Sequence, residues 1–147
     1  VNKMATTDYK TSQLIFHGAA RSGLRNVGSY QVSGHPFVTG AIVAAGAEVR
    51  VEFPYVTKKI TVIGSGSSEN DLRIYFASST ANNKVTEGHH YISLDSHEDS
   101  VEFDLKCKEI YIQAPKAAAG YQLYASLTLI TSSAMFDVTG SGIDSLF

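Results

Sequence analysis

From Ala47 to Ile130 the chain repeats one local pattern: short runs in which apolar and polar side chains alternate, each closed by Gly, Ser, Asn, Asp or Pro. Alternation of period two puts every second side chain on the same face of an extended strand. A succession of such runs can bury its apolar halves only by laying one sheet on another, and a helical period is nowhere sustained. The pattern therefore predicts an all-β fold, an antiparallel β-sandwich.

The strands can be placed one by one. A first runs from Ser29 to Thr39, where Gly34 and Pro36 indicate a bulge or a sheet edge. In Ala47–Phe53, Val49, Val51 and Phe53 alternate with Glu48, Arg50 and Glu52, and Pro54 ends the run. Lys58–Gly64 holds the β-branched series Ile60, Thr61, Val62, Ile63, which suits a strand buried on both sides. A fourth strand carries Leu72, Ile74 and Phe76, and the polar loop Ser78 to Asn83 follows it. His89–Leu94, Val101–Lys106 and Ile110–Ile112 supply three more. In the last, Tyr121, Leu123, Ala125, Leu127 and Leu129 are expected to point one way, and Gln122, Tyr124, Ser126 and Thr128 the other. About eight strands of this length fit the two four-stranded sheets of a jelly roll better than a seven-stranded immunoglobulin-like sandwich, which is the runner-up.

At 147 residues, 44% hydrophobic and 18% charged, the chain is the size and composition of one globular domain. It divides into an N-terminal arm (1–28), a β-sandwich body (29–131) and a C-terminal docking tail (132–147). A formal charge of −2, with scattered Lys and Arg, offers no field for a polyanion, so nucleic acid is not an expected partner. No apolar run approaches the ~20 residues that span a bilayer, so no membrane partner is expected either. The sequence opens at Val1 without a charged-then-apolar leader, and synthesis in a cytoplasm is the expectation. Cys107 is the single cysteine, which rules out an internal disulfide. Lys106 and Lys108 beside it could lower its pKa, but a buried strand thiol is the preferred reading.

The residues best suited to metal chemistry are His89, His90, His97 and Glu98. Adjacent histidines on a strand face opposite ways and cannot share an ion, which also breaks the H-x-H spacing of a cupin metal site. His90 and His97 could meet across a hairpin, yet surface histidines are the better reading. Asp95–Asp99 offers three carboxylates in one turn but lacks the spacing of a calcium loop, and a solvated hairpin tip is preferred. There is no G-x-S-x-G nucleophile elbow, and Gly64 and Gly66 precede a strand instead of the helix that a phosphate loop needs. No cofactor, no metal and no catalytic residue is assigned; the chain is not expected to be an enzyme.

Surfaces remain. Tyr55, Tyr75, Tyr111 and Tyr124 fall outside the apolar phase or at loops, and Tyr55, Tyr75 and Tyr124 are candidate rings for stacking on sugars. Leu14, Ile15 and Phe16 form the apolar cluster of the arm; Phe136, Ile143, Leu146 and Phe147 stud a Gly- and Ser-containing tail. Neither segment can make a core alone, so both are candidate contacts with the body or with another chain.

Three stretches, GLRNVGSYQVSGHPFVTG from Gly23 to Gly40, EVRVEFPYVTKKITVI and SVEFDLKCKEIYI, together resemble small virion structural proteins of tailed bacteriophages, particularly those of marine cyanobacterial hosts. That resemblance implies a capsid decoration (cement) or related accessory subunit without catalytic residues. It implies a homotrimer or other homo-oligomer bound to the major capsid protein through its arms and located in the virion after synthesis in the host cytoplasm. The alternative from another class is a carbohydrate-binding or receptor-recognition sandwich, with a glycan as partner.

Overall fold

The computed structural model describes residues 23–25, 27–31, 34–64, 71–80, 84–96 and 98–144. Eight strands form two four-stranded antiparallel sheets: β1 (His35–Val43), β2 (Glu48–Glu52), β3 (Tyr55–Gly64), β4 (Leu72–Tyr75), β5 (Ile92–Leu94), β6 (Ser100–Phe103), β7 (Glu109–Gln113) and β8 (Ala119–Thr131). One sheet has the order β1-β8-β3-β6 and the other β2-β7-β4-β5. The pairs β1·β8, β2·β7, β3·β6 and β4·β5 nest inside one another, as if the chain were folded once between β4 and β5 and the double ribbon then rolled up. The pairs β3·β8 and β4·β7 close the two sheets. This is the strand order of a jelly roll.

The core lies between the sheets, where the inward halves of the alternating runs meet. Val51, Phe53, Ile60, Val62, Leu72, Ile74, Ile110, Ile112 and Leu123 are all buried there. Full burial of each such side chain stabilises the fold by roughly 1.5–3 kcal/mol. Phe37 meets Phe53 edge-on at 5.4 Å, and Phe76 meets Phe103 in the same manner at 5.8 Å.

Four local expectations need correction. Residues Gly28–Gln31 form a short helical turn, α1, and the first strand starts only at His35. Local hydrogen bonds favour the turn: Tyr30 N donates to Val27 O at 3.0 Å, and the Tyr30 hydroxyl to Leu24 O at 3.0 Å. Pro36 does sit on a sheet edge, where a missing N–H is tolerated. Second, β3 is not buried on both sides along Lys58–Gly64, where Ile63 remains exposed and Lys58, Lys59 and Thr61 are only partly buried. Third, the fifth strand begins at Ile92. His89 takes a left-handed conformation (φ 57°) after a second helical turn, α2 (Lys84–Glu87), and this turns the chain before the strand. Fourth, the alternation of burial in β8 breaks at Ser126, which is buried together with Leu127 and Thr128, and beyond them Ile130 is buried while Leu129 is exposed. The break lies opposite register shifts at Tyr55, Thr57 and Lys59 in β3, where a β-bulge changes which face a side chain takes.

Candidate interaction surfaces

The tail leaves β8 through a 3-10 turn (Ser132–Ala134), anchored by a hydrogen bond from the Ser132 hydroxyl to Phe53 O. Met135 then drops into a small second core with Val56 and Ile130, against which Leu24, Tyr30 and Val138 pack. Asp137 pairs with Lys108 at 2.5 Å, and this partner holds the Asp137 carboxyl below the usual range. Thr139 N donates to Ile143 O at 2.8 Å, and an isolated bridge joins Val138 to Asp144. The tail is thus fastened to its own body by Met135 and Val138. Phe136 (36% exposed) and Ile143 (52% exposed) stay on the surface. Leu14, Ile15, Phe16, Leu146 and Phe147 lie outside the described residues.

Beside the tail root lies an open groove of about 830 Å³, floored by Leu105 and Met135, walled by Tyr30 and Phe136, and rimmed by Lys58, Lys59 and Lys106 with Asp104. Lys59 is paired with Glu102 at 2.6 Å, and Lys106 reaches Leu24 O at 3.3 Å. These two lysines are therefore engaged in local structure.

A second surface is the outward face of the β1-β8-β3-β6 sheet. Register places Val38 beside Tyr124 and Tyr124 beside Thr61, with Gly40, Gln122 and Ile63 forming the next row. A Cβ at Gly40 would come within 2.8 Å of Tyr121 O, so glycine is required by close approach. A shallow hollow of about 560 Å³ opens there between Val38, Ile63 and Tyr124.

The tyrosines do not share one platform. Tyr124 is 45% exposed and Tyr55 is 38% exposed, the latter with its ring 6.5 Å from that of His35. Tyr75 is a correction, because it is fully buried and cannot stack on a ligand. It does point away from the main core as its phase requires, but α2 folds over that face. Val85 from α2, with Tyr75 and Tyr111, makes a third apolar cluster. The Tyr75 and Tyr111 rings stack at 5.9 Å, nearly parallel, so Tyr111 is buried as well. The Tyr75 hydroxyl donates to Glu48 Oε2 at 2.8 Å, and burial, reinforced by that carboxylate, drives its pKa far up. Ser79 N and its hydroxyl donate to the same Glu48 oxygen. Burial alone would raise the Glu48 carboxyl, but the hydrogen bonds from Ser79, Tyr75 and Ser78 outweigh it and hold the group below its usual range.

Cys107 is buried, though in the extended connection between β6 and β7 and not in a strand. Burial pushes its thiol up to about 11. Its lysine neighbours do not lower it, because Lys106 turns to Leu24 and Lys108 to Asp137. His89 Nδ1 lies 3.1 Å from the Tyr91 hydroxyl, while His97 is outside the described residues. Among the described residues no three His, Cys, Asp or Glu side chains are grouped to hold a metal ion. In the acidic turn the Asp99 carboxylate accepts from Ser96 N at 3.0 Å, and the turn closes on β3 through Glu98 N to Gly64 O at 2.9 Å. At least one of its carboxylates is thus engaged in local structure, but the expected hairpin tip is a correction: β5 and β6 belong to different sheets, and this turn carries the chain from one sheet to the other.

The alternation rule, applied to β1, also leaves out a surface. Val38 and Ile42 face outward from a strand whose inward residues include Phe37 and Val43. The signal for it is an uncharged run, HPFVTGAIV, apolar on both faces.

No protein-family model matches the sequence, and no curated protein matches it either. Among solved structures, the chain is similar to a cupin superfamily protein from Desulfitobacterium hafniense, 15% identical over 65% of this chain and 71% of that one, with a TM-score of 0.41. It is also similar to the cupin domain of an XRE family transcriptional regulator from Enterobacter cloacae (13% identity, 62% and 80% covered, TM-score 0.38). A third likeness is to the disulfide-linked pili of Bacillus endospore appendages (15% identity, 65% and 94% covered, TM-score 0.33). At these scores none of the likenesses carries weight for what this chain does.

Proposed function

We propose that this chain acts by binding and not by catalysis, as a repeated structural subunit of a virus particle of the capsid decoration (cement) kind. In this reading it is a homo-oligomer that also contacts a major capsid protein, made in the host cytoplasm and carried in the virion. The resemblance of its sequence to phage virion proteins supplies the class. The observation that carries the reading is the tail, whose root is buried through Met135 while Phe136 and Ile143 are presented outward. Apolar groups held exposed on a fastened segment are suited to burial against a neighbour. The arm residues Leu14, Ile15 and Phe16 and the terminal Leu146 and Phe147 belong to the same proposal.

The test is co-sedimentation of the purified chain with virions stripped of accessory proteins. Phe136→Ser combined with Ile143→Ser should abolish binding while the circular dichroism spectrum stays that of the parent. Removing 132–147 outright is a poorer test, since it would take Met135 out of the second core. Binding unchanged in the double variant would refute the assignment.

A carbohydrate-binding reading draws on Tyr124, exposed beside the hollow at Gly40. Saturable sugar binding on a glycan array, lost in Tyr124→Ala, would favour it over the structural reading.

A further inference from the structure

Each sheet of the sandwich has two open edges, and they are not alike. The strand β2 carries Glu48, Arg50 and Glu52; β5 is three residues long; β6 is four residues long and includes Glu102. Charge and shortness are the usual means by which an edge is kept from pairing with another chain. The strand β1 has neither protection: it runs for nine residues, HPFVTGAIV, without an Asp, Glu, Lys or Arg. Among the described residues no strand pairs with its far side. Pro36 protects only the beginning of the edge. Its outward residues Val38 (75%) and Ile42 (78%) are the most exposed large apolar side chains among the described residues.

We propose that a second copy of this chain pairs with the open edge of β1, antiparallel about Thr39, joining two β1-β8-β3-β6 sheets into one continuous sheet across a two-fold axis. The choice of a second copy rests on how the strand meets itself. About Thr39, Val38 of one copy falls opposite Gly40 of the other, and Ile42 falls opposite Pro36, so a large outward side chain meets a small or ring-closed one at each of these positions. No charge opposes a like charge anywhere along the ribbon. The same operation on β2 about Arg50 would set Glu48 against Glu52 and Arg50 against Arg50, which is repulsive. Such an isologous contact closes on itself, so the exposed strand makes a dimer and not a fibre. The pairing goes beyond the structural-subunit reading by naming a surface and a symmetry, and it holds whether or not the dimer binds a shell.

Sedimentation of the full chain measures the mass directly, and a dimer is expected. Val38→Lys with Ile42→Lys should weaken dimerisation on the order of a hundredfold or more, since like charges are then brought together across the axis. The circular dichroism spectrum should stay that of the parent while the thermal midpoint loses its dependence on protein concentration, and Leu129→Lys, at an exposed apolar site elsewhere, should leave the dimer intact. Thr39→Cys should oxidise to a disulfide-linked dimer, because directly opposed Cβ atoms in an antiparallel pair lie ~4.5–5.5 Å apart; the buried Cys107 does not compete. A monomer or a trimer for the parent chain overturns the proposal, as does a dimer that survives the two lysines. A monomeric Thr39→Cys variant whose introduced thiol resists maleimide also overturns it, since another part of the same chain then covers the edge. Sedimentation needs no virion, so failure here is distinguishable from failure to bind a particle.

Discussion

Glu48 shows how a charged residue read from its phase as facing water can be drawn into a built environment. It alternates with Val49 and Val51, and Tyr75 of β4 together with the Ser78–Ser79 turn supplies the donors that surround its carboxylate. Because its folded-state pKa is depressed, the stability it contributes is present above the ordinary carboxylate range and is lost as pH falls through the folded value. The midpoint of urea denaturation should therefore drop below about pH 4.5, the carboxyl's ordinary value, and Glu48→Gln should flatten that part of the profile. Tyr75→Phe, which removes one of the donors, should cost about 1 kcal/mol. Tyr75→Ala should cost about 3–5 kcal/mol, by analogy with other large aromatic truncations in a core. Equal losses for the two Tyr75 variants would mean that the hydroxyl, not the stacked ring, dominates the site. That Tyr75 leaves the main core was legible in its phase. Its burial was not, because the cover comes from Val85, in a stretch between the polar loop Ser78 to Asn83 and the next strand that carries no strand pattern.

At the level of the element, β8 is the instructive strand. Its first half obeys the alternation from Ala119 to Ala125; Ser126, Leu127 and Thr128 are then all buried, and the pattern beyond them is inverted, with Ile130 buried and Leu129 exposed. The inversion is stabilised by Thr128, whose hydroxyl donates to Val56 O at 2.6 Å and accepts from Ile130 N at 3.2 Å. Both bonds lie in the buried zone where β3 departs from regular register. Thr128→Val keeps the shape and removes both, so it should destabilise by about 1–3 kcal/mol, the cost of buried backbone groups left unmet. Chemical denaturation measures it; a neutral effect would mean that the bulge holds without the hydroxyl. A local sequence pattern cannot announce such a slip, since it depends on what the neighbouring strand does.

For the whole molecule, the nested pairing has a kinetic consequence. The outermost pair joins His35 to Leu127, close to opposite ends of the described chain, and the closing pair joins Tyr55 to Thr131. Loop-closure entropy must be overcome before these distant pairs reward it, and sandwiches dominated by such contacts fold in milliseconds to seconds. Refolding followed by tyrosine fluorescence, which is free of tryptophan because the chain has none, should fall in that range. Submillisecond refolding would show that local pairs such as β4·β5 carry more of the transition state than the topology implies.

The class of fold was written in the residues themselves, because a period of two declares a strand and its buried face from nearest neighbours alone. Strand number, the edge position of Pro36 and a turn at Asp95–Asp99 followed from the same short-range chemistry, but that this turn crosses between the sheets instead of closing a hairpin did not. Partnership was decided only in three dimensions. Whether Tyr75 is covered, whether Thr128 turns inward and which edge of the sandwich is left bare depend on segments far apart in the chain, and solvent exclusion acts on their assembled surfaces and not on their order in sequence.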